Sequence, residues 1–189
     1  MYPLLHPYTE SDAEHIVADT QSWLERAVIG LNLCPFAKSV FVKKQVRYAL
    51  TAASTADELL AELDAEFALL AATPPAQLDT TLLIHPRAMT NFLDYHFFLA
   101  EANALLRNLD LEGVFQIASL HPQYEFAGCE PDDIANFTNR SPYPTLHLLR
   151  ESSIDRAVAA FPEAESIFER NIETMQRLGH DGWKKLWAS

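Results

Sequence analysis

Two short apolar, β-prone runs in this chain end in the same dipeptide. Thr80 to Ile84 closes on His85-Pro86, and Val114 to Leu120 closes on His121-Pro122. Between them lies a stretch of helical periodicity. Strand, helix and strand in that order form the unit from which layered α/β folds are built. A proline disfavours the helical region for the residue before it, so each histidine is held extended at the last position of its strand. Parallel, neighbouring strands would put both rings at the carboxyl edge of one sheet, where ligands of open α/β folds bind.

The rest of the chain continues the alternation. Ser11 with Glu14 forms a capping-box pattern, and Ile16, Thr20, Trp23, Leu24, Ala27, Val28 and Leu31 recur at helical spacing. This predicts a helix from Asp12 to Gly30 that stops near Cys34-Pro35. A strand follows over Gln45 to Leu50. Thr55 and Glu58 open a second helix with Leu59, Leu63, Phe67 and Leu70 on its apolar face, ended by Thr73-Pro74-Pro75. Asn91 caps a third, carrying Phe92, Tyr95, His96, Leu99 and Leu106. The near-continuous apolar character of Val114 to Leu120 predicts a central strand covered on both faces. Thr145 to Leu149 is a fourth strand. Ser152 and Asp155 begin a helix that Pro162 interrupts or restarts, and Glu163 to Leu178 reads as another, with Gly179 as its stop.

This order predicts an α/β layered sandwich, with a mixed or mostly parallel sheet of about four strands covered by helices. The connection from His121 to Pro144 is too polar and proline-rich for a full crossover helix, so the last strand can run either way. One globular domain accounts for residues 1–189. An extended segment is expected at 1–10, and a tail docked by Trp183 and Trp187 at 180–189.

Composition excludes several classes of function. A formal net charge of -12 opposes phosphate backbones and anionic lipid, so neither nucleic acid nor membrane is expected as a partner. No apolar run reaches membrane-helix length, and Met1-Tyr2-Pro3-Leu4-Leu5 lacks a basic signal-peptide start. Two cysteines, Cys34 and Cys129, are too few for a disulfide framework, and a cytoplasmic location is expected. Lys38, Lys43, Lys44 and Arg47 form a local basic stretch, either a solvated loop or an anion patch.

Polar residues crowd into the connection between the third and fourth strands. His121 at a strand end suits a general base or a metal ligand. Asp132 and Asp133 can be its partners, or can simply open a short helix after Pro131. His85, His121 and Asp133 are the metal candidates, without any established ligand spacing. In Asn139-Arg140-Ser141-Pro142-Tyr143-Pro144 two prolines stiffen the backbone. Asn139 and Arg140 there can clamp an anionic substrate, or Arg140 can pair with Asp132 or Asp133. Tyr143-Pro144 is a candidate cis bond. His147 lies within an apolar strand and must be hydrogen-bonded, as a structural residue or in a site with His121; Arg150 is a further anion-binding candidate. Cys34 follows a helix C-terminus, which disfavours a thiolate, and is better placed as a buried plug.

Trp23-Leu24-Glu25, Gly30 through Ala37, Gln116 through Ser119, His121-Pro122, Phe126-Ala127-Gly128 and Asn139 through Glu151 together resemble a bacterial family known only as domain of unknown function 1415. The resemblance spans almost the whole chain and names no reaction, substrate or cofactor. It implies that Cys34, His121, Asp132, Asp133, Asn139, Arg140, His147 and Arg150 are the residues to follow.

Two classes of function fit these residues. One is a small cytosolic enzyme acting on a small polar or anionic substrate, with His121, Asp132, Asp133 and His147 as catalytic residues and Asn139, Arg140 and Arg150 holding substrate. Metal assistance and any other cofactor are left open, as is the oligomeric state. The other is a non-catalytic ligand-binding or regulatory module whose polar residues pin the long connection to the sheet.

Overall fold

Strand β2 (Thr80–Ile84) is buried at every residue, the mark of a central strand covered on both faces. Around it the computed structural model, which describes residues 8–160 and 166–188, builds a four-stranded mixed sheet in the order β1-β2-β4-β3. β1 (Val46–Leu50) pairs with β2 in parallel. β4 (Thr145–Arg150) runs antiparallel between β2 and β3 (Phe115–Leu120). The first three strands therefore point the same way, and the last enters between two of them from the opposite direction.

β3 is an edge strand, not the central one its apolar run predicted. Insertion of β4 displaces it, and Gln116, which would need a partner in a strand interior, is exposed there.

Helices cover both faces. On one side lie α3 (Ala56–Ala72) and α4 (Phe92–Asn108). Their buried Leu59, Leu63, Phe67, Tyr95 and Phe98 meet Leu83, Phe115, Leu146 and Leu148 of the sheet. The opposite face carries Leu82, Ile84 and Leu120 against Ile16, Trp23, Leu24 and Ala27. These last belong to α1 (Glu10–Trp23) and to the π-helical turns Leu24–Ile29 that extend it. A short α2 (Ala37–Val42), not expected from the periodicity, leads into β1. After β4 come α5 (Glu151–Ala159) and α6 (Ile167–Lys185), which Gly179 breaks with a φ of 62°.

The caps follow local chemistry. Thr55 and Glu58 form the expected reciprocal box, and the Asn91 side chain accepts from the amides of Leu93 and Asp94. At the first helix the box is Thr9 with Asp12 rather than Ser11 with Glu14, so the helix begins earlier than the pattern indicated. The predicted interruption at Pro162 and most of the extended N-terminal segment lie outside the described residues. Among the described residues no helix is long and apolar enough to cross a membrane.

Candidate functional site

Because β2 and β3 run the same way, His85 and His121 do reach the same edge of the sheet, although β4 lies between their strands. Tyr95 of α4 fills the gap. Its ring is stacked on His85 at 5.7 Å and tilted against His121 at 5.1 Å between centroids. Its hydroxyl donates to Thr145 O and accepts from Leu120 N, tying the end of β3 to the start of β4. Phe92 then packs on His121 and Tyr124.

Both histidines are fully buried, and their bonds define their tautomers. The Gln123 amide donates to His121 Nδ1 at 3.0 Å, so Nε2 holds the proton and donates to Met89 O at 3.2 Å. His85 Nδ1 donates to Ala88 O, and its buried Nε2 has no hydrogen-bond partner among the described residues. Burial pushes His85 down to about 4, with a smaller contribution from neighbouring His121. Burial also lowers His121, against the pull of the Met89 and Thr90 carbonyls. These are neutral rings in a packed layer.

The connection is pinned by amide and guanidinium donors. Fully buried Asn136 accepts from Phe126 N and donates to Glu130 O at 2.8 Å. Asn139 donates to Ser119 O, and its own carbonyl accepts from the His121 amide. Asp133 caps the 3-10 turn Ile134–Thr138 by accepting from Ala135 N, as a helix-opening acid does. Arg140 donates through Nε to Tyr124 O and through Nη2 to Pro131 O, and its guanidinium lies 4.3 Å over the Phe137 ring. Asp132 and Glu125 act on it only at a distance, and no ion pair forms with Asp132 or Asp133. The Tyr143–Pro144 bond is trans.

Two open clefts flank Arg140. One, of about 420 Å³, lies between α1, α6 and the connection; Trp23, Phe137, Trp183, Trp187, Asp19 and Arg140 are among its walls. The other, of about 680 Å³, runs beside the start of α4 past Phe92, His96, Glu125, Phe126 and Asp132. Pro122 and Arg140 border both.

A family model described as a protein of unknown function, DUF1415, matches residues 15–185. The chain belongs to the DUF1415 family. A search of curated proteins found no match, and neither did a search of solved structures.

The candidates of this DUF1415 protein are not brought into one constellation. His147 faces the α1 layer, on the other side of the sheet from Tyr95. There its Nε2 donates to Thr80 Oγ1 at 2.8 Å, while that hydroxyl donates to Leu148 O. Burial pushes it down to about 4. Arg150 is buried at the far end of β4, where it donates to the carbonyls of Leu70, Thr73 and Leu78 and so caps α3. His85, His121 and Asp133 do not converge: among the described residues no group of three His, Cys, Asp or Glu side chains is placed to hold a metal. Cys34 is half-buried, and desolvation raises its thiol, which fits a packing role. Arg47 of the basic stretch is paired with Glu66 at 2.9 Å, leaving Lys38, Lys43 and Lys44 exposed.

The aromatic cleft was not visible in the DUF1415 sequence as a site. Trp183 and Trp187, expected from the sequence to dock the tail, have ring centroids 5.5 Å apart, and Trp183 is edge-on to Phe137. The spacing of one helical turn was the available signal. That Trp23 and Arg140 would face the same space follows only from the fold.

Proposed function

We propose that this protein is a non-catalytic small-molecule-binding module whose ligand, a small anion, is held at the carboxyl edge of the sheet against Arg140. One observation carries the reading: both ring nitrogens of His121 are engaged by backbone, one accepting from Gln123 N and one donating to Met89 O. A histidine so held has no lone pair free to take a proton from substrate. Asp133 is likewise used as a cap, and Arg150 and His147 serve distant parts of the sheet. Arg140 differs from them. Two of its donors stiffen the connection, yet the side chain borders both clefts with no carboxylate of the described residues paired to it.

The free cysteines fit the reducing cytosol, and the net charge of -12 fits a partner that is neither nucleic acid nor anionic membrane. The test is thermal shift with inorganic phosphate and with acetate, on wild type, Arg140→Gln and His121→Gln. The expected result is a raised melting temperature in wild type and His121→Gln that is lost in Arg140→Gln. Near-stoichiometric metal in the purified wild type, absent from His121→Gln, would overturn the reading and restore a metal-assisted enzyme.

A further inference from the structure

We infer that the cleft between α1, α6 and the connection takes an aromatic carboxylate, its ring among the tryptophans and its carboxylate on Arg140. This rests on the reading that Arg140 faces a ligand, and adds what that ligand must be.

The walls of the cleft are unusual for a surface. Every tryptophan of the chain lies there: Trp23 almost fully buried at its base, and Trp183 and Trp187 half-buried at its side. Phe137 meets Trp183 edge-on at 5.3 Å, so the indole and phenyl rings form one surface rather than scattered contacts. A half-covered aromatic wall of this kind gains from burying a flat apolar ring, through area and through ring–ring geometry.

One cation stands in that wall. Arg140 is fixed by Tyr124 O, Pro131 O and the face of Phe137, which leaves Nη1 without a hydrogen bond among the described residues. A guanidinium held with free donors and no ion-pair partner is preorganised for a planar anion, and a carboxylate matches its fork. The cleft also has an acid, Asp19, but its Oδ2 accepts from the Tyr143 hydroxyl at 2.8 Å and the residue is otherwise exposed to solvent. Arg140, with donors to spare, thus points to an anion, whereas Asp19 is already engaged by a hydroxyl.

The tryptophans supply the readout. Phenylacetate titrated into wild-type protein, with emission excited at the red edge of indole absorption, is expected to change the fluorescence saturably. Neutral phenylacetamide and ring-free acetate should each bind at least about tenfold more weakly, the one lacking the charge and the other the ring. Ser22, half-buried in the same wall, provides a block: Ser22→Phe should abolish the signal while circular dichroism stays unchanged. The comparison of acid with amide needs no variant, so a poorly folding Arg140 substitution does not decide the matter. Phenylacetamide binding as tightly as phenylacetate overturns the inference, as does benzylamine binding more tightly than either. Arg140-dependent acetate binding with phenylacetate no tighter overturns the aromatic part alone and leaves the small-anion reading standing. Absence of binding by any of these anions and by phosphate overturns both.

Discussion

The Arg150 guanidinium donates to Thr73 O across 2.6 Å, joining the last residue of the last strand to the C-cap of α3. The same Nη2 also serves Leu70 O, which otherwise keeps only the Thr73 amide, and Leu78 O, so one buried cation closes the helix end onto the following turn. Replacing it by Met should cost about 3 kcal/mol, since the carbonyls lose their donor. Urea unfolding reads this directly, and a midpoint equal to wild type would show that the cap is dispensable.

Tyr95 makes a comparable joint at the other end of the sheet. Tyr95→Phe keeps the ring between His85 and His121 but strips a donor from Thr145 O and an acceptor from Leu120 N. Both groups are buried, so a loss of about 1–3 kcal/mol is expected. The measurement is equilibrium denaturation; a variant as stable as wild type would mean that water or backbone replaces the hydroxyl.

Acid should destabilise the fold earlier than carboxylate protonation alone would. His85 and His147 sit near 4 in the folded protein and near 6.5 when unfolded. Between those values the unfolded chain binds more protons, so the stability present above pH ~6.5 falls as pH drops towards ~4. Each ring contributes on the order of 3 kcal/mol at most. Stability that stays flat between pH ~7 and ~5 would contradict neutral burial of both rings, and His147→Leu should flatten the profile in part.

Asn136 holds the long connection in shape. Asn136→Ala leaves Phe126 N without a partner and Glu130 O with the Asp133 amide alone, and should open the segment before it opens the sheet. Limited proteolysis is expected to nick the variant between Gln123 and Pro131 at protease levels that leave wild type intact. Equal resistance would place the strength of the connection elsewhere, in Arg140 above all.

Much of the fold was legible because it is written locally. The Thr55–Glu58 box, the Asn91 cap and the β-prone run from Thr80 to Ile84 each specify their element from a few neighbouring residues. Strand order was not, since it depends on which partner β4 meets, and an apolar run such as Val114 to Leu120 reads alike at a sheet's centre and at its edge. The polar motif was found, but its use was not. Arg140 and Arg150 as a string suggest ion pairs and anion binding, whereas in space they meet backbone carbonyls; Asp133 opens a short turn, one of the two uses its place after Pro131 allowed. Side-chain type announces a hydrogen-bonding capacity and leaves the partner unstated.

The late entry of β4 has a consequence for how the molecule is made. β2 and β3 border a slot that only residues 145–150 fill, so the sheet cannot close until most of the chain has been synthesised. Until then the unpaired edges of β2 and β3 face one another across a gap, open to any extended segment, including one from a second nascent copy. A chain truncated before Thr145 is therefore expected to expose both strand edges as an adhesive species instead of behaving as a shorter version of the protein.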